Sequence, residues 1–214
     1  MKGRFITFEG GDGTGKSTQI KLLADFLKEQ NVPVVTTREP GGTPLGQELR
    51  SLLLTGDKDK MDAVTEALLF FADRHIHLTE KIWPALAKGE WVLSDRFADS
   101  TFAYQLYGHN GRLSQETLER LYQIAVGDFK PDLTIILDID PEIGIKRSLA
   151  RATGEAVKEI RFENIDMGFH QRLRKGYLEI AAREPERCVV LDAARSIEDI
   201  HRNIVKVVSE RLGL

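Results

Sequence analysis

Residues 10 to 17 read GGDGTGKS and fit G-x-x-x-x-G-K-[ST], with Gly10, Gly15, Lys16 and Ser17 at the fixed positions. Those residue types specify a chemistry. Glycines let consecutive backbone N–H groups turn inward around phosphate oxygens. The lysine reaches the β- and γ-phosphates, and the serine hydroxyl ligates Mg²⁺. The ATP-contacting set is therefore Gly10, Gly11, Asp12, Gly13, Thr14, Gly15, Lys16, Ser17 and Thr18. A second acidic position falls in WVLSDR, where Asp95 closes an apolar run. A carboxylate there organises Mg²⁺ through water, and Arg96 beside it can clamp a phosphate with two donors. The same Asp-Arg pair also fits an ion pair capping a strand.

Three further segments could take part. REPGGTPLGQELR (Arg38 to Arg50) puts a charged pair before a Pro-Gly-Gly turn, which also reads as a plain surface turn. Phe70 and Arg74 in FFADR share one helical face, so a ring and a guanidinium could hold a planar base; a buried Phe beside a snorkelling Arg has the same pattern. Residues 152 to 163 are polar and aperiodic, flanked by Arg147, Arg151 and Arg161. An arginine-bearing loop near a phosphate site can close over the transferring group. His75 and His77 at i, i+2 diverge on a helix, and the five histidines show no zinc spacing.

The elements that must position these residues follow from periodicity. Strand-like runs are Arg4–Glu9, Val32–Thr37, Trp91–Asp95, Asp132–Ile139 and Cys188–Asp192. Helical spacing covers Thr18–Gln30, Leu45–Leu54, Ala63 to about Trp83 (ending near Pro84), Ser114–Gly127, Pro141–Arg151, Ile165–Arg183 and Ile197–Leu212. Strands alternating with helices predict an α/β doubly wound fold: a parallel sheet of about five strands covered by helices on both faces. Ligands in such sheets sit at the carboxyl ends of strands, which is where the residues above fall. We expect one domain over residues 1–214, with a lid at about 151–163. Net charge is −3, so no basic field calls for nucleic acid; apolar stretches are too short to span a membrane; the single Cys188 cannot form an internal disulfide. A cytoplasmic setting is the expectation.

Together these residues resemble the bacterial thymidylate kinases. The resemblance runs from FEGGDGTGKST through TREPGGTPLG, LLFFADR, VLSDRFADSTFAYQ and PDLTIILDIDPEIGIKR to the final LDA. TREPGGT with DR-x(4)-T-x-x-YQ is far more specific than the phosphate loop alone. The resemblance implies the P-loop kinase fold and ATP + dTMP → ADP + dTDP, with Mg²⁺ and a homodimer packed through helices. It implies that Phe70 stacks on thymine, that Arg74 hydrogen-bonds the base, and that Thr101 and Gln105 contact it. Tyr104 lies beneath the sugar. Asp12, Glu39, Arg50 and Arg96 serve the acceptor side, with Arg96 near the transferred group. Ala193 lies by the adenine. Gly13 stands where eukaryotic-type members carry arginine, which moves the catalytic cation to the lid and makes Arg151 and Arg161 its candidates beside Lys16. The lid here reads Ile160-Arg161-Phe162-Glu163 rather than Asp-Arg-x-Glu, and LYGHNGR departs from the family's Gly-rich segment, so Arg112 has no assigned counterpart. Alternatives are a kinase for another deoxynucleoside monophosphate or a deoxynucleoside, and a switch ATPase. The chain lacks the N-K-x-D motif of GTPases and the L-S-G-G-Q of transporter ATPases.

Overall fold

The computed structural model describes residues 2–57, 59–109, 111–151, 161–162 and 165–214, leaving out the side chain of Arg151. Five strands form one parallel sheet: β1 (Phe5–Glu9), β2 (Val34–Arg38), β3 (Trp91–Asp95), β4 (Leu133–Asp138) and β5 (Cys188–Asp192). Their order is β2-β3-β1-β4-β5, which puts β1 at the centre, registered Phe8 against Asp95 and Glu9 against Ile136. A fully buried central strand needs both faces apolar. Ile6 and Phe8 pack into one core with Leu23 and Leu27 of α1 (Lys16–Glu29) and Ile204 and Val208 of α9 (Ile197–Leu212). Phe5 faces the other side, against Leu78, Ile82 and Phe97. The two threonines that break the apolar pattern pair with each other, Thr7 Oγ1 to Thr134 Oγ1 at 2.7 Å.

The remaining helices are α2 (Pro44–Leu54), α3 (Ala63–His77), α4 (Trp83–Ala87), α5 (Ala98–Phe102), α6 (Gln115–Ala125), α7 (Pro141–Arg151) and α8 (Met167–Arg183). Several starts are set by side-chain caps: Thr43, Asp62, Ser114, Asp166 and Ser196 each accept a backbone N–H from the first turn. Pro84 does not end the third helical stretch, as its sequence suggests. A π-turn over Leu78–Ile82 intervenes, with Trp83 N–H reaching Leu78 O, and the run continues through α4 to Lys88. The wider turn re-pairs carbonyls upstream of the missing proline donor, and Pro84 sits in the first turn of the new helix, where no N–H is needed. The sequence reading also leaves Ala98–Gly108 unassigned. Here α5 passes into a second π-turn, Ala103–Gly108, which carries Tyr104 and Gln105.

Candidate active site

The phosphate loop joins β1 to α1, so α1 points its N-terminus and its free N–H groups at the loop. Gly10 has φ 126° and Gly13 φ 72°. A Cβ on Gly10 would meet Leu137 O at 2.3 Å, and one on Gly13 would meet Gly144 O at 1.9 Å. The loop is therefore pressed between β4 and α7, and glycine is required at both points. Lys16 Nζ donates to Gly10 O at 3.1 Å and Gly11 O at 2.9 Å, which holds the ammonium across the loop. Burial and the neighbouring Arg96 push its pKa down. Thr14 Oγ1 donates to Gly11 O at 3.0 Å. Ser17 Oγ donates to Asp95 Oδ2 at 2.7 Å, bringing together two oxygens from segments 78 residues apart. A hydroxyl and a carboxylate are hard donors of the kind Mg²⁺ takes. Ala193 follows β5 and is buried; its N–H bonds Asp138 O at 2.8 Å and its carbonyl accepts from Arg147 Nη1 at 3.3 Å.

Beside the loop lies a cavity of about 120 Å³. Phe70, Tyr104 and Phe162 supply its aromatic walls, and Arg50, Arg74 and Arg96 its cations. Thr101, Glu39 and Asp12 line it as well. Arg74 is 1% exposed and enclosed by the rings of Phe71 and Phe97, at 5.1 and 5.2 Å. Its Nε donates to Glu39 Oε2 at 2.9 Å, and its Nη2 donates to Phe97 O and Thr101 Oγ1, both at 3.0 Å. Nη1 has no partner among the described residues. A buried guanidinium nitrogen in a cavity wall is a costly vacancy unless a ligand accepts from it. Glu39 is saturated, its other oxygen bonded to His77 Nδ1 at 2.9 Å, with His77 Nε2 on Thr37 Oγ1 at 2.6 Å. It orients Arg74 rather than presenting a free carboxylate.

Asp12 and Arg96 connect the loop to the cavity. Arg96 Nη2 donates to Asp12 Oδ1 at 2.6 Å, and Nη1 to Gly10 O, Ser100 Oγ and Tyr177 OH at 2.9 to 3.0 Å. Tyr104 OH donates to Asp12 Oδ2 at 3.1 Å, with the Arg96 guanidinium 5.3 Å from the Tyr104 ring centre. Burial alone would raise the Asp12 pKa, but Arg96 and Lys16 outweigh it and hold the carboxyl below its usual range. Beneath them Glu9 accepts from Phe97 N at 2.8 Å and Ser100 Oγ at 2.6 Å; burial, then the charge on Asp99, push its pKa up to about 8.

Two of the expected site residues have their side chains in other surroundings. Gln105 does not line the cavity. Its side chain is fully buried on the far side of the π-turn, with Nε2 donating to Glu66 Oε2 at 2.9 Å. Arg161 is buried and bonded to Glu66, to Leu53 O and to Asp57 O. Residues 152–160 and the side chain of Arg151 lie outside the described residues, as does much of the expected lid. Conversely, sequence reasoning missed His77, Glu66, Phe162, Ser100 and Tyr177. His77 alone left a signal, sitting i+3 from Arg74 on the same helical face.

A sequence model of the family described as thymidylate kinase matches residues 8–204. The chain belongs to the thymidylate kinase family. It is 48% identical over 211 residues to the thymidylate kinase of Bradyrhizobium sp. (strain ORS 278), covering 99% of this chain and 92% of that one. It is 49% identical over 213 residues to that of Caulobacter vibrioides, covering 100% and 99%. The crystal structure of thymidylate kinase from Ehrlichia chaffeensis superimposes with a TM-score of 0.77 at 36% identity, over 97% of this chain and 99% of that one. Membership fixes the enzyme class as an ATP-dependent nucleoside monophosphate kinase, and the five-stranded parallel sheet is that of a P-loop kinase. No described helix is long and apolar enough to cross a membrane.

Proposed function

We propose that this chain transfers the γ-phosphoryl group of ATP to dTMP, and that the cavity at Phe70, Arg74 and Tyr104 receives the acceptor nucleotide. The observation that carries this reading is the unsatisfied Arg74 Nη1 in an aromatic-walled cavity joined to the phosphate loop through Asp12 and Arg96. Phe70 offers a ring face to the base, and Nη1 offers one donor to a carbonyl on its edge. Tyr104, fixed on Asp12, fills the space under the sugar. Arg96 and Arg50 provide positive charge where the acceptor phosphate would lie. On the donor side, the loop amides and Lys16 take the ATP phosphates.

Phosphoryl transfer requires alignment and charge stabilisation more than covalent chemistry. The acceptor is already an oxyanion, so no general base is needed. Ser17 and Asp95 are the residues that would hold Mg²⁺, whose contribution is to neutralise charge on the phosphate oxygens. Arg151 remains the proposed lid cation. Ala193 is proposed at the adenine, at the carboxyl end of β5. The enzyme is proposed to work in the cytoplasm as a homodimer. Leu52, Val64, Leu68 and Ile124, exposed on the adjoining helices α2, α3 and α6, support the latter.

The test is ADP formation with dTMP, dUMP, dCMP, dGMP and AMP as acceptors. The reading requires dTMP to give the highest kcat/KM, with no ADP formed when acceptor is omitted. AMP as the best acceptor, or equal ADP release without acceptor, would refute it.

A further inference from the structure

Arg161 and Phe162 fall within the expected lid and are adjacent in sequence, yet their side chains serve different surroundings. Arg161 is 3% exposed and enters a polar nest under the acceptor cavity. Its Nη2 pairs with Glu66 Oε1 of α3. Its Nη1 donates to Leu53 O at 3.0 Å and its Nε to Asp57 O at 3.0 Å, so one guanidinium meets carbonyls at and just beyond the end of α2. A cation there complements the negative end of the helix. Glu66 Oε2 accepts from Gln105 Nε2 at 2.9 Å, with His109 Nε2 at 3.4 Å. Burial would raise the Glu66 pKa, but the neighbouring His109, Gln105 and Arg161 overcome that and hold the carboxyl below its usual range.

Phe162 turns the other way, into the cavity. It is 4% exposed, with its ring edge-on to Tyr104 at 5.2 Å and tilted against Phe70 at 6.3 Å. The Arg161 guanidinium lies 5.1 Å from the Phe162 ring centre. Phe70 and Tyr104 are thus two aromatic walls, and Phe162 is a third, brought in from a segment some 60 residues beyond Tyr104 (162 against 104).

We infer that Phe162 is a specificity wall of the acceptor-base pocket and that Arg161, locked to Glu66, is the residue that positions it. This rests on the reading of that cavity as the nucleotide acceptor site. Arg161 then acts through Phe162 on acceptor binding, with no contact to the transferring phosphate. The assignment replaces the catalytic role that its place in the lid suggests. Aromatic contact with a base is worth about one to two powers of ten in affinity.

The experiment is steady-state kinetics on Phe162→Leu, Glu66→Gln and Arg161→Lys, with calorimetric titration of dTMP in the absence of ATP. Phe162→Leu keeps apolar volume and removes the ring. The expected result is a KM and a Kd for dTMP raised at least about tenfold, with kcat and the KM for ATP within about threefold of wild type. Glu66→Gln, remote from both phosphates, should shift KM for dTMP in the same direction. Arg161→Lys should retain kcat. Two results would overturn the inference: unchanged dTMP affinity in Phe162→Leu, or a fall of about 100-fold in kcat for Arg161→Lys with KM for dTMP unchanged, as a phosphate-stabilising cation would give. If any variant melts far below wild type, calorimetry on Phe162→Leu below its melting temperature decides. Failure of the wild-type enzyme to bind dTMP would instead refute the acceptor assignment itself.

Discussion

Replacing Arg74 by lysine isolates what the buried guanidinium does for the acceptor. Arginine here satisfies three protein acceptors from two nitrogens: Glu39 from Nε, and Phe97 O and Thr101 Oγ1 from Nη2. Nη1 is left over for a ligand. Lysine keeps a positive charge beside Glu39, so the carboxylate is not stranded, but its donors radiate from a single atom on a shorter reach. It cannot hold Glu39 and the Phe97 carbonyl while also serving the cavity. The lost interaction is one hydrogen bond from a charged donor, worth about 1.5–3 kcal/mol. At 1.4 kcal/mol per decade, kcat/KM for dTMP should fall by about 10- to 150-fold. The loss should fall mainly on KM, since the base keeps the same contact in ground and transition states. The assay is coupled ADP formation at varied dTMP and saturating ATP, with KM for ATP as the internal control and thermal melting to confirm the fold. A kcat/KM for dTMP within twofold of wild type would refute the assignment of Nη1 to the base. An equal loss on the ATP side would refute the separation of the two sites.

Other consequences follow from the same geometry. Lys16→Ala should lower kcat by at least about 100-fold, comparable with removing an oxyanion donor, while dTMP affinity measured by calorimetry stays near wild type. Gly13→Ala would drive a Cβ into the Gly144 carbonyl at a positive φ, at a cost of about 2 kcal/mol or more, or roughly 4–8 °C in Tm for a chain of this size; an unchanged Tm would show that the loop is not pressed on α7. Glu9 has its carboxyl raised from 4.5 to about 8. The folded state therefore binds the extra proton, and stability should fall as pH rises through that interval. Glu9→Gln should flatten the Tm-against-pH curve there, and an identical slope in the variant would remove Glu9 as its cause. Light scattering should give about twice the 24.1 kDa chain mass, and Leu68→Glu with Ile124→Glu should halve it; a wild-type monomer would end the dimer proposal.

Contiguity decided what could be read from the chain. The phosphate loop carries its chemistry in eight consecutive residues, and Phe70 and Arg74 lie one helical turn apart, so local spacing made both candidates. The five strands were legible because a buried parallel sheet makes mostly apolar runs such as LTIIL. The π-turn before Pro84 was not, because the register shift that absorbs a proline leaves no mark in periodicity. The surroundings of Arg161 were illegible for a different reason. Its acidic partner lies 95 residues earlier on a helix face whose pattern reads as ordinary. The partner of Gln105 was hidden in the same way: it is again Glu66, 39 residues earlier.

The position of Arg96 shows how the sheet itself joins the phosphate loop to the cavity beside it. Arg96 directly follows β3 with φ 72°, a left-handed conformation that a non-glycine residue adopts at a cost of about 1–3 kcal/mol. Its N–H still bonds Phe8 O of the central strand at 2.9 Å, so the backbone is anchored to β1 while the side chain swings over β1 toward the loop. An ordinary extended residue after Asp95 would alternate onto the opposite sheet face instead. The turn thus lets two consecutive residues face one centre: Asp95 toward Ser17, and Arg96 toward Asp12 and Gly10. Ser100, Tyr177 and Glu9 surround the guanidinium and its support, which is how the strained conformation persists. Removing the strain with Arg96→Gly would relieve the backbone and abolish the bridge together, so stability and activity are opposed at this one position.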